Sequence, residues 1–124
     1  MFVHPRDPYK RVDILPTSRH VRVELDGVVL ADSHRAHILF ETGLPPRWYI
    51  PKTDVRLDLL VPNDSSSMCP YKGTAEYWSA CIDGRLEGDI AWSYRTPLPE
   101  SERVAGMISF YNDRVALIID GNTE

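Results

Sequence analysis

The stretch that decides the fold class reads His20-Val21-Arg22-Val23-Glu24-Leu25-Asp26-Gly27-Val28-Val29-Leu30-Ala31. Apolar and polar side chains alternate over residues 20–25, which is the period of a half-buried strand. Asp26-Gly27 is a two-residue turn pair typical of hairpins, and the apolar run that follows it returns as a second strand. The stretch therefore predicts an antiparallel hairpin.

The same alternation, broken by turn-forming residues, recurs along the rest of the chain. We predict further strands over residues 35–41, 48–50, 75–82 and 90–94, and a final hairpin from 107–111 to 114–120. Residues 55–59 fit a strand, although Val55 and Leu59 also fit a helical turn. Residues 62–67 are polar and rich in turn formers, which predicts a loop, and residues 99–105 predict one short helix. We expect a mainly β, antiparallel fold with one short helix.

Length and composition predict one domain over residues 1–124. The chain has 124 residues, 43% hydrophobic and 26% charged, which is ordinary globular composition. Residues 1–18 form a basic, proline-containing segment that packs on this domain or flanks it. The apolar stretches are too short to cross a membrane and the chain starts without a secretory signal pattern, so we expect a soluble, cytoplasmic protein with no membrane partner.

Charge argues against a nucleic-acid partner. The formal net charge is −4, although residues 1–22 carry five basic and two acidic side chains. One short basic cluster on an acidic chain is a weak electrostatic signal, and a solvated segment explains it better than a phosphate-binding arm.

The run Cys69-Pro70-Tyr71-Lys72-Gly73-Thr74-Ala75 has the clearest chemical character in the chain. A thiolate is the reactive form of cysteine, and a nearby cation favours it. Lys72 would lower the pKa of Cys69 if the proline turns the chain back. The run predicts a catalytic thiol with Glu41 as the base or as the group that orients Arg35, and His37 is the histidine that we would nominate as a partner.

Around this run we expect a pocket between two sheets. Its aromatic walls would be Tyr49, Tyr77, Trp92 and Tyr94, and its polar groups Cys69, Lys72, Arg35 and Glu41. Such a lining binds small molecules, with Arg35 holding an anionic group. The alternatives stay open: the aromatic residues also fit a plain core, Arg35 and Glu41 a structural ion pair, and Cys81 a buried small apolar residue.

No metal or cofactor is expected. Cys69 and Cys81 are too far apart in sequence for a Cys-x-x-Cys motif. His34 and His37 point to opposite faces if they share a strand, so they cannot converge on one ion.

Six groups of residues carry a resemblance to a known family. They are 29–33 with Arg35, 41–45, 49–51 with 54–55, 69–75 with 77–78, 91–94, and 110–111. With these the chain resembles domain-of-unknown-function family 427, which is also labelled a nucleotidyltransferase-type domain. Ser67 stands where many members of that family have threonine, and the hydroxyl is kept.

The resemblance implies a β-tent fold, in which two antiparallel sheets lean on each other, as in cereblon's ligand-binding domain and methionine sulfoxide reductase B. It implies no settled activity. The zinc-binding members of that fold use paired Cys-x-x-Cys knuckles, which this chain lacks, so no structural zinc is expected.

Three classes of function remain open. The first is a small-molecule-binding domain that acts as an enzyme through Cys69. The second is a non-catalytic binding module with an aromatic cage. The third is a nucleotidyltransferase, as the label suggests, or a thiol redox enzyme in which Cys69 and Cys81 approach within disulfide reach. Exposed sheet edges would also allow a homodimer.

Overall fold

Twelve strands form two antiparallel sheets in the computed structural model, which describes residues 2–3, 11–69, 73–94 and 103–124. Side chains are described at 12–63, 75–94 and 103–124. The larger sheet contains β1 (Phe2–Val3), β2 (Arg11–Pro16), β5 (His37–Glu41), β6 (Arg47–Ile50), β7 (Leu60–Cys69), β8 (Gly73–Ile82), β9 (Arg85–Tyr94) and β10 (Ile108–Phe110), in the order β1-β2-β5-β6-β10-β9-β8-β7. The smaller sheet contains β3 (Val21–Leu25), β4 (Val28–Ser33), β11 (Ala116–Ile119) and β12 (Asn122–Thr123), in the order β12-β11-β3-β4. The mainly β, antiparallel fold predicted from the sequence is confirmed.

Aspartate-glycine pairs make the tightest turns. Asp26-Gly27 joins β3 to β4, Asp83-Gly84 joins β8 to β9, and Asp120-Gly121 joins β11 to β12. Both residues of each pair have positive φ, near 50° for the aspartate and between 77° and 84° for the glycine. This backbone matches the right-handed twist of a hairpin, and glycine adopts it without steric cost.

The main hydrophobic core fills the space between the two sheets. The smaller sheet contributes the inward faces of β3, β4 and β11, and the larger sheet contributes alternate residues of β6 to β10. Val21 and Val23 meet Ile50, Ala91 and Ile108 in this layer, all of them buried. Burial of apolar surface, which contributes about 25 cal/mol of free energy per Å², is the main force that holds the two sheets together.

A second buried cluster covers the opposite face of the larger sheet. Because side chains alternate along a strand, the neighbours of the core residues point the other way. Tyr49, Leu39, Trp92 and Tyr94 belong to this cluster, and Val104, which follows β9 in the chain, packs with them. The larger sheet is therefore buried on both faces near its centre.

Residues 62–67 do not form the predicted loop. They lie in β7, which pairs with β8 and bulges between Pro62 and Ser66. β7 is the edge strand of the larger sheet, where a proline and a polar sequence are tolerated because one side of the strand needs no partner.

Residues 55–59 form no strand but contain the turn that was the alternative: short 3₁₀ turns at Lys52–Asp54 and Leu57–Leu59 surround Val55. The predicted final hairpin over 107–120 is wrong, since β10 pairs with β6 and β9 while β11 pairs with β3 and β12. The predicted helix over 99–105 lies mostly outside the described residues. Within the described ranges, no helix has the length and apolar character needed to span a membrane.

Candidate functional site

A row of polar-tipped side chains crosses the centre of the larger sheet. The register aligns His37 of β5 with Tyr49 of β6, Tyr49 with Ser109 of β10, Ser109 with Trp92 of β9, and Trp92 with Tyr77 of β8. Residues directly opposite each other share a face, so all five lie on the face that carries the second cluster. This face, and not the space between the sheets, holds the aromatic residues that the sequence singled out.

A cavity of about 180 Å³ opens at one end of this row. Its lining is Leu39, Glu41, Leu44, Pro45, Arg47, Ala75, Tyr77, Trp92, Tyr94 and Tyr111. The structure thus brings together four of the residues nominated from the sequence, namely Glu41, Tyr77, Trp92 and Tyr94. The expected position of the pocket between the sheets is wrong, because the main core fills that space.

Tyr49 stands behind the cavity wall. It is fully buried, and its phenolic oxygen accepts a hydrogen bond of 3.0 Å from the indole Nε1 of Trp92. The two rings meet edge to face with centroids 6.2 Å apart, an arrangement that aromatic quadrupoles favour. Tyr49 therefore fixes the orientation of Trp92 and does not line the cavity itself.

Arg47 places a guanidinium in the cavity lining. It lies opposite Leu39 in the sheet and two residues before Tyr49 on β6, so it shares their face. Its guanidinium carbon lies 5.3 Å from the centroid of the Trp92 ring. A cation at this distance over an indole face is attracted by the ring quadrupole.

Tyr111 also packs against Trp92, with ring centroids 4.5 Å apart. The pKa of Tyr111 is raised to about 12, chiefly by burial and then by the charge and hydrogen bond of Tyr77, while Arg47 acts in the opposite direction. At neutral pH the phenol is therefore a hydrogen-bonding group without charge.

Glu41 brings a carboxylate to the same cavity. It is the last residue of β5, lies opposite Val12 of β2, and is 8% exposed. Among the residues whose side chains the structure describes, the cavity lining therefore carries one acidic and one basic side chain against an aromatic floor.

Arg35 lies elsewhere, which corrects the expectation that it joins Glu41. Its Nη2 donates to Asp54 Oδ1 at 2.7 Å and to Thr53 Oγ1 at 2.9 Å, and Ser33 also donates to Asp54. The pKa of Asp54 is lowered, first by the hydrogen bond from Arg35. Arg35 thus fastens the first 3₁₀ turn to the end of β4, and its alternation with Glu41 does not carry through because β5 begins only at His37.

Cys69 is the last residue of β7, and its backbone pairs with Gly73 at the start of β8. Ala75, two residues further along β8, lines the cavity. Lys72, the proposed partner of the thiol, lies outside the described residues.

Cys81 is exposed, so the expectation that it is buried is wrong. It lies eight residues along β8 from the partner of Cys69, which is about 26 Å at about 3.3 Å per residue. A disulfide needs Cα atoms within about 7 Å. A bridge between Cys69 and Cys81 within one chain is therefore excluded.

The histidines do not assemble a site. His37 is half-buried in the central row, and burial, followed by the charge of Arg103, lowers its pKa. His34 stacks instead on His20, whose Nε2 lies 2.7 Å from Asp32 Oδ1. Among the described residues, no group of three or more His, Cys, Asp or Glu side chains could hold a metal ion.

Other depressions are more open. One lies at the β3–β4 turn beside residues 113–116, and another between β4 and the 3₁₀ turns. Turn residues form most of their walls, whereas the aromatic cavity rests on four strands of the sheet, β5, β6, β8 and β9. The aromatic cavity is therefore the candidate site.

A family model described as "Domain of unknown function (DUF427)", with the short name NTP_transf_9, matches residues 13–121. The chain belongs to this family. The DUF427 match includes every residue that lines the cavity, and it confirms the resemblance identified in the sequence. No curated protein matches the chain.

The short name of the DUF427 model suggests nucleotidyl transfer, and the described residues differ from the sites that usually carry out phosphoryl chemistry. Gly73 opens a strand, whereas a phosphate-binding loop leads into a helix whose N-terminal amides hold the phosphates. Phosphoryl transfer also uses clustered carboxylates to hold metal ions, and the described part of the chain has no such cluster.

Sequence reasoning missed part of the lining. Leu44, Pro45 and Tyr111 lie within the stretches that carry the family resemblance, and that signal could have placed them at the site. Arg47 is the lining residue that carries the charge of a cation, and sequence reasoning does not single it out. Its spacing of two from Tyr49 was the available signal, since residues at that spacing share a face of a strand.

Proposed function

We propose that this protein binds a small molecule in the cavity lined by Trp92, Tyr77, Tyr94 and Tyr111. The observation that carries the proposal is the combination of aromatic walls with one guanidinium and one carboxylate, Arg47 and Glu41, in a single concave site. Concave sites with apolar walls and a few placed polar groups are the usual form of small-molecule sites.

The size of the cavity limits the ligand. A volume of about 180 Å³ is close to that of an engineered cavity of about 150 Å³ that takes one benzene molecule. A single ring with one or two substituents fits inside it, and any larger part of a ligand would extend through the open side into solvent. The proposal is therefore a site for a small metabolite or for a single side chain of a partner.

A fragment screen by NMR tests the proposal. The indole N–H signals of Trp48, Trp78 and Trp92 separate three parts of the protein, and Trp92 alone lines the cavity. Ring-sized fragments are expected to shift the Trp92 signal and to leave the other two in place. Leu44→Trp, at the exposed rim, should block these shifts, and Leu86→Trp, at an exposed position on the β8–β9 hairpin, is the matched control. No hits, or hits that survive Leu44→Trp unchanged, would contradict the proposal.

A catalytic form of this proposal uses Cys69 as a nucleophile. Its support is the register, which puts Cys69 opposite Gly73 and two residues along β8 from the cavity-lining Ala75. Alkylation of Cys69 followed against pH, with the exposed Cys81 as the internal comparison, tests it. Faster alkylation of Cys69 at low pH, lost in Lys72→Ala, is expected for an activated thiol. Alkylation that matches Cys81 leaves the non-catalytic binding module as the proposal.

The cytoplasm is the location that we propose. An exposed free thiol such as Cys81 is kept reduced there, whereas secreted proteins of this size use their cysteines in disulfides.

A further inference from the structure

Arg47 differs from the other arginines whose side chains the structure describes. Carboxylates pair with Arg19, Arg22, Arg35, Arg56 and Arg85, and backbone carbonyls accept from Arg103 and Arg114. Within that part of the chain, the guanidinium of Arg47 makes neither an ion pair nor a hydrogen bond. It lies over the face of Trp92, with its guanidinium carbon 5.3 Å from the ring centroid.

This isolation has a physical consequence. A guanidinium carries five N–H donors in a planar fork, and those of Arg47 are within reach of solvent. The Trp92 face attracts the charge but satisfies none of the donors. The guanidinium of Arg47 is therefore available to donate hydrogen bonds to an acceptor on a ligand that enters the cavity.

We propose that the cavity binds a small monocarboxylate whose carboxylate pairs with Arg47 and whose flat apolar body lies against Trp92 and Tyr94. This inference rests on the proposed function and names its ligand class. A carboxylate matches the guanidinium fork with two parallel hydrogen bonds. The apolar body of the ligand would contact the aromatic side chains and the aliphatic part of the lining, which is formed by Leu39, Leu44 and Pro45.

A monoanion suits the cavity better than phosphate. Glu41 lies in the same lining, so a dianion meets like charge from Glu41 while Arg47 neutralises only one of its charges. A phosphate also lacks the flat apolar body that the walls accept.

The test compares three probes on the full chain at constant ionic strength and neutral pH, with the Trp92 indole signal as the readout. The probes are benzoate, its uncharged analogue benzamide, and inorganic phosphate. Benzoate is expected to bind at least about tenfold more tightly than either of the others, since hydrogen bonds to charged groups are worth about one to two powers of ten in affinity.

Variants then assign the preference to Arg47. Arg47→Gln should lower benzoate affinity to the benzamide level, and Arg47→Lys, which keeps the charge but loses the fork, should retain part of it. Arg56→Gln makes the same change at an exposed arginine outside the cavity and should leave both affinities unchanged.

Each other outcome overturns the inference. Equal binding of benzoate and benzamide removes the carboxylate preference while the proposed small-molecule site stands. If phosphate binds more tightly than benzoate, the ligand class is phosphate and not a monocarboxylate. Failure of both rings to bind removes the monocarboxylate class, and the fragment screen with Leu44→Trp then decides separately whether the cavity binds anything.

Discussion

Trp92 and Tyr49 lie on strands that do not touch, yet the indole nitrogen of Trp92 donates to the Tyr49 hydroxyl at 3.0 Å. β10 separates β9 from β6, and it places the small Ser109 between the two aromatic residues. The bond can span the intervening strand because serine leaves room above it. The orientation of the cavity floor therefore depends on a buried residue that does not itself line the cavity.

Tyr49→Phe tests this dependence. The change removes the acceptor of the Trp92 N–H inside a buried cluster, and the free energy of unfolding should fall by about 1–3 kcal/mol. Chemical denaturation measures the loss. In a Trp92→Phe background the same change should cost about 1 kcal/mol less, because the N–H donor is already absent. An equal cost in the two backgrounds would show that the bond contributes nothing to stability.

Arg35→Gln is expected to weaken the fold and to leave ligand binding intact. Arg35 bonds to Asp54 and Thr53, and none of the three lines the aromatic cavity. The denaturation midpoint should fall at neutral pH. Since the pKa of Asp54 is depressed in the folded protein, the stability gained from this pair is present above about pH 4 and is lost as the pH falls further. A loss of fragment binding in folded Arg35→Gln would restore Arg35 to the site.

The sequence predicts the strands well where both local signals agree. Alternation together with Asp-Gly turns identifies β3, β4 and β8, and alternation alone identifies the second half of β9, from residue 90 to residue 94. It also groups Tyr77 with Ala75 on one face. The sequence predicts a loop in place of edge strand β7, because a polar strand that contains a proline shows no alternation of apolar residues. The prediction of a final hairpin is wrong because β10 and β11 each pair with strands that are distant in the sequence. Local sequence patterns do not predict such pairing.

The site is harder to predict than the fold. Period two tells which residues share a face, but it does not tell which face meets the second sheet, so the aromatic residues were expected between the sheets. Likewise, alternation links Arg35 to Glu41, whereas the chain leaves the strand before His37 and turns Arg35 towards Asp54. The partner of a long charged side chain is decided by tertiary structure.

His37 should make stability depend on pH. Burial lowers its pKa, so the folded protein holds it neutral while the unfolded chain takes up a proton near pH 6.5. The free energy of unfolding should therefore fall as the pH drops below about 6.5, towards the pKa of the folded state. His37→Gln should flatten this part of the pH profile, measured by denaturation at closely spaced pH values. The control, His34→Gln at an exposed position, should keep the fall, and an unchanged slope in His37→Gln would contradict the prediction.

Tyr111 should report on the charge of the cavity. Its pKa of about 12 is set by burial and by Tyr77, and Arg47 opposes the shift. Because the folded state holds the proton more tightly than the unfolded chain, this group's contribution to stability should fall as the pH rises from about 10 to 12. NMR titration of ¹³Cζ-labelled tyrosine should give Tyr111 a pKa of about 12. Arg47→Gln should raise its pKa further and Tyr77→Phe should lower it. A pKa that does not respond to Arg47→Gln would mean that the guanidinium does not act on this end of the cavity.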